Sequence, residues 1–283
     1  MSTVETDDLT ERERDALETL CKRLGDDEFV IAERYTEWQV RSPTLESDLA
    51  LSNIAQDELG HARLWYDVLM ELGYDEPDLV YERDPEDWIH STLTEQPFEE
   101  GGWADAIVRS YLYDVAEDVR LSALEDSTHP KIADRVGKIQ AEEDYHLEHA
   151  QNWMERLARD EGHERVQAAV DRLFPHALTL FEPVDHDIEE DIVDLGLRDA
   201  TLAEMGEEWL SIVIPYLESL DLDVPASGVE RQEGYAVTDE MLPEEVGRDG
   251  SHTDAWFDLF EEFTHTYNDL GRDEATKIMD PPE

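Results

Sequence analysis

The feature that most constrains this chain is a spacing that occurs twice. Glu58 and His61, and again Glu143 and His146, form Glu-x-x-His pairs. A carboxylate precedes each pair at nearly the same distance: Glu28 stands 30 residues ahead of Glu58, and Asp114 stands 29 ahead of Glu143. Residues three apart are neighbours on one helix face, so each pair sets two ligating groups one turn apart. A four-helix bundle that holds two metal ions needs two such pairs, plus one carboxylate from each of the other two helices. The chain has that inventory, in that order.

A lone Glu-x-x-His is weak, because so acidic a sequence with ten histidines supplies roughly one or two by chance. Glu262 and His265 form a third pair, with no partner hairpin after it, and are read as such a chance match. The other two have apolar surroundings. Glu58 and His61 share a face with Leu51, Ile54, Ala62, Trp65 and Leu69; Glu143 and His146 share one with Ile132, Val136, Ile139, Ala150 and Trp153. A carboxylate on a buried face without a partner is expensive. Asp57, next to Glu58, is placed to orient a ligand histidine. Glu117 and Asp118 lie near the face of Asp114 and are alternatives to it. Glu28 can also be read as a dipole-favoured helix-start residue, and His149 and His176 as surface or satisfied histidines.

The periodicity is helical nearly throughout. It predicts helices over about 10–24, stopped near Gly25, and from Asp26 or Asp27 as N-cap to about Val40. Further helices are expected over about 43–72, 86–95, 103–127, 130–162, 163–181, 198–220 and 253–270, with a loop over 223–250 and a frayed tail from Asp280. The fold class expected is all-α: a ferritin-like bundle forming a single domain over 1–283, core helices within about 26–162 and additional C-terminal helices over about 163–272.

Composition decides three further points. Asp and Glu number 74 against 22 Lys and Arg, a formal charge of -52. This repels nucleic acid and anionic membranes. Apolar residues at helical spacing argue for a folded protein suited to a salt-rich cytoplasm rather than for disorder. No run approaches the roughly 18 apolar residues of a membrane helix, and the acidic N-terminus lacks the features of a secretory signal. Cys21 is the only cysteine, which excludes an intrachain disulfide and cysteine-based zinc sites.

The stretch Arg41 to Arg63, the segment Tyr111-Leu112-Tyr113-Asp114, the stretch Ala141 to His146 and Gly250-Ser251-His252-Thr253 resemble the phenylacetyl-CoA epoxidase family over about residues 17–270. That family has a catalytic A-type subunit carrying a di-iron site and a related, structural C-type subunit. Length, Leu24-Gly25-Asp26, the run Ser47 to Asn53 and the Gly-Ser-His-Thr segment look like the C-type chain. Glu28, Glu58, His61, Asp114, Glu143 and His146 fall on the ligand positions of the A-type chain. The resemblance therefore implies an enzyme subunit with two iron ions, manganese being suited to the same ligands. It further implies a catalytic A-type partner, a small accessory subunit, a reductase, and phenylacetyl-CoA as substrate. A metal-free scaffold within the same complex is the second expectation. Iron storage is a third, which the length and the 223–250 loop disfavour.

Overall fold

The computed structural model describes residues 9–98, 102–225, 235 and 238–270. They are helical, with no strand among them. Helix α1 (Glu11–Thr36) opens on a capping box between Thr10 and Glu13. Helix α2 (Leu45–Glu71) starts at Thr44, whose side chain accepts from the Ser47 amide, and ends before Gly73 in the left-handed region. Short helices α3 (Glu76–Val80) and α4 (Thr92–Glu95) follow. Then come α5 (Trp103–Ser122) and α6 (Pro130–Leu157), the latter with proline at its first position. Helices α7 (His163–Leu178), α8 (His186–Asp194), α9 (Leu202–Ser219) and α10 (Asp254–Leu270) complete the chain.

The α1–α2 and α5–α6 hairpins face each other as the four-helix, ferritin-like bundle. Helices α7 and α9 pack on α5, and α8 packs on α1. The apolar interior forms two main clusters. One gathers Ile31, Tyr35, Leu51, Ile54, Tyr111 and Met154; the other gathers Leu20, Leu24, Trp65, Leu69, Val136 and Ile139. On each of the four helices the change from one cluster to the other falls at the residues singled out by spacing. The acidic layer thus lies between two apolar plugs, which keep water from either end.

Two expectations fail at the start of the bundle. Gly25 does not stop a helix: α1 runs through it without a break. Its missing side chain makes room for the Tyr66 ring, since a Cβ there would come within 2.6 Å of Tyr66 Cε1. Asp26 and Asp27 are not caps but wholly buried acceptors. Tyr66 Oη donates to Asp26 at 2.7 Å, Arg83 donates to the same carboxylate, and Arg120 and Arg248 donate to Asp27 at 2.6 and 2.7 Å. The expected helix over 86–95 is a 3-10 turn at Pro85–Asp87 followed by α4. Helices α3 and α8 lie outside the expected set. The described part of 223–250 is irregular apart from one turn at Asp239–Met241, and the tail from Asp280 lies outside the described residues.

Candidate metal centre

Each of the four bundle helices brings its acidic residue inward at the same level. Glu28, Glu58, His61, Asp114, Glu143 and His146 are all buried. Donor atoms of Glu28, Glu58 and His61 lie within 4.8 Å of one another, as do those of Glu58, Glu143 and His146. Glu58 belongs to both groups. His61 Nδ1 lies 3.9 Å from Glu28, 3.8 Å from Glu58 and 3.3 Å from Glu143. His146 Nδ1 lies 3.6 Å from Glu58 and 3.1 Å from Glu143. The two imidazoles stand 6.3 Å apart. Asp114 sits behind the second group without joining it, as its shorter side chain dictates, yet its charge acts on Glu143, His146 and Glu58.

The outer nitrogens of the two histidines are tied in a crossed pattern. His146 Nε2 faces Asp57 at 3.4 Å, and His61 Nε2 faces Glu142 at 2.8 Å. Each supporting carboxylate immediately precedes the glutamate of the opposite motif. With Nε2–H directed outward, each Nδ1 lone pair points into the centre, the tautomer a metal requires. Asp57 is legible from sequence; Glu142 is not, because its partner lies on another helix.

The electrostatics describe a site short of positive charge. Burial, together with Glu117 and Glu58, raises Glu28 well above the usual carboxylate range. Burial and Glu143 do the same for Asp114, partly offset by His146. Burial alone would lower His61 and raise Glu143, but their contact wins: His61 is pushed up to about 11 and Glu143 down to about 2. His146 rises to about 10 by the same contact with Glu143. Carboxylate oxygens of Glu28, Glu58, Asp114 and Glu143, and both Nδ1 atoms, reach no partner in hydrogen-bonding geometry. Orphaned buried acceptors converging on one volume fit two divalent cations, whose four positive charges match four carboxylates. Glu117 does not join this set, because Arg120 neutralises it. Asp118 is exposed.

Glu262 and His265 are exposed on α10, where His265 pairs with Asp269. His176 is satisfied by the Thr92 hydroxyl at 2.8 Å. His149 departs from expectation: it is half-buried, with no partner for either ring nitrogen. A further group, His90, Glu95 and His252, has donor atoms close enough for a metal. Its hydrogen bonds already account for it. Glu95 faces His90 Nε2 at 2.7 Å and His252 Nδ1 at 2.9 Å, accepts from the Thr253 amide, and His252 Nε2 donates to the Trp88 carbonyl.

Residues 1–269 match the family described as phenylacetic acid catabolic protein. The chain belongs to this family. It is also 32% identical over 220 residues, 75% of this chain and 85% of the relative, to the C-type subunit of the 1,2-phenylacetyl-CoA epoxidase of Escherichia coli (strain K12). Family membership agrees with the helical bundle, and no helix among the described residues is long and apolar enough to cross a membrane.

Proposed function

We propose that this chain is a subunit of a multicomponent 1,2-phenylacetyl-CoA epoxidase of phenylacetate catabolism, working in the cytoplasm, and that it holds two iron ions. The observation that carries the metal reading is the shared position of Glu58 between two buried acid–histidine groups. Glu28, Glu58 and His61 would hold one ion, and Glu58, Glu143 and His146 the other, with Asp114 completing the second. Bound iron would supply the activation of dioxygen; manganese suits the same donors. The chain's own contribution is to fix both imidazole tautomers through Asp57 and Glu142, and to exclude water with the two apolar clusters. The catalytic A-type subunit, a small accessory subunit and a reductase are the partners this reading calls for, with phenylacetyl-CoA as substrate.

A second reading is favoured by the C-type designation of the Escherichia coli relative: a structural subunit that supports the catalytic partner without metal. Metal analysis after purification at high salt separates the two. The first expects about two iron ions per chain, lost in His61→Ala and His146→Ala variants that stay helical. A metal-free, folded protein that supports a separately supplied catalytic partner overturns it.

A further inference from the structure

The two motif-bearing helices, α2 and α6, meet along an antiparallel seam that covers the acidic centre. At the α2 C-terminal end this seam is closed by ion pairs, Asp67 with Arg135 at 3.9 Å and Glu71 with Lys131. Over the centre it is crossed by Asp57–His146 and Glu142–His61. At the α2 N-terminal end it opens into a cavity of about 470 Å³, with Ser47 and Ala50 on one side and His149, Asn152, Trp153 and Arg156 on the other. His149 lies three residues beyond His146, about 4.5 Å along the helix. The cavity is the open end of the seam whose middle covers the proposed metals.

Its lining is built for recognition rather than for packing. His149 presents two ring nitrogens without partners. Arg156 spreads its guanidinium 4.7 Å from the Trp153 ring centre, and among the described residues no carboxylate pairs with it. That is notable where acids outnumber bases 74 to 22. An arginine held on an aromatic face keeps its fork of donors available for a carboxylate or phosphate. Asn152 and Ser47 offer further polar groups, and Trp153 offers a flat apolar wall.

We propose that this cavity binds a small ring-bearing anion, its carboxylate or phosphate on Arg156, its ring against Trp153 and a polar atom at His149. It is the entry by which an organic ligand approaches the centre. The location rests on the two-metal reading; the binding does not, since none of these residues is a proposed ligand.

The test is calorimetric titration of the full chain, metal-free and iron-loaded, at one fixed salt concentration. The probes are phenyl phosphate, benzoate and neutral benzamide. Saturable binding of at least one anion is expected, weakened about tenfold or more in Arg156→Gln while benzamide is unaffected. His149→Ala should weaken every probe that binds. Whichever of phenyl phosphate and benzoate binds more tightly identifies the anionic group. Iron content measured on the same samples should be unchanged in Arg156→Gln. Absence of binding by either anion, or equal affinity in Arg156→Gln, overturns the proposal. Binding that persists in protein unable to take up iron leaves it standing while refuting the metal reading.

Discussion

Glu58 and Asp114 sit in the same acidic layer but do different work, and removing each should show it. Because Glu58 belongs to both donor groups, Glu58→Ala should lose both ions. Asp114 stands behind one group only, so Asp114→Ala should retain close to one ion per chain; inductively coupled plasma analysis of the purified variants decides this. Glu142 acts through His61, and Glu142→Gln should weaken metal binding by about 10- to 100-fold without altering helicity. Protonation supplies another handle. In the metal-free chain His61 and His146 titrate at about 11 and about 10, and Glu28 and Asp114 are raised well above the carboxylate range. Two imidazoliums and two carboxylic acids must therefore give up their protons when cations enter. Titration with ferrous ion in weakly buffered, anaerobic solution near neutral pH should release roughly four protons per chain. Release of none would mean that the centre is already ionised and holds no deficit of positive charge.

At the scale of elements, α10 is fastened by the cluster of His90, Glu95 and His252. His252 directs Nε2–H to the Trp88 carbonyl and Nδ1 to Glu95, while Arg34 reaches the carbonyls of Glu95 and Ala255. Burial and His252 hold His90 down at about 4, so it stays neutral in the fold, whereas an unfolded histidine takes a proton near pH 6.5. Burial would raise Glu95, but its two histidines hold it at about 2. Both groups bind protons more readily unfolded, so their contribution is complete above about pH 6.5. It is lost first through His90 between about pH 6.5 and 4, then through Glu95 toward about pH 2. Hydrogen exchange should show α10 amides losing protection on acidification before those of α5; Glu95→Gln should bring that loss to neutral pH.

The bundle itself is legible in the sequence because the motifs and the helical periodicity describe the same faces. The break expected at Gly25 fails because glycine in a sequence looks like a stop, while here it yields space to a ring 41 residues away. Asp26 and Asp27 look like caps because Arg120 and Arg248 approach them from remote parts of the chain. Nothing local marks positions 90, 95 and 252 as one cluster. Gly25→Ala tests the role of that glycine: the clash should cost about 1–3 kcal/mol, exceeding the helix-propensity gain of about 1 kcal/mol. Tm should fall by a few degrees. In a Tyr66→Leu background the same substitution should become neutral or stabilising.

Across the whole molecule, charge is distributed less evenly than the composition implies. Arg23, Arg109, Arg120, Arg198 and Arg248 are buried, and all but Arg109 pair with buried acids. Much of the small positive complement is thus spent inside, and the exterior is left strongly acidic. Such a surface repels itself over the screening length, roughly 30 Å at 0.01 M salt and 3 Å at 1 M. The interior pairs are shielded from solvent ions and respond far less. Potassium chloride between these limits should therefore raise Tm steeply at first and then level off once the exterior is screened. The rise should survive in His61→Ala, where metal binding cannot contribute. It should shrink when a cluster of exposed acids, such as Glu207 and Glu208 on α9, is replaced by glutamine. A Tm indifferent to salt would mean that the exterior charges are already balanced by bound cations, and would remove the basis for reading the acidity as adaptation to a salt-rich cytoplasm.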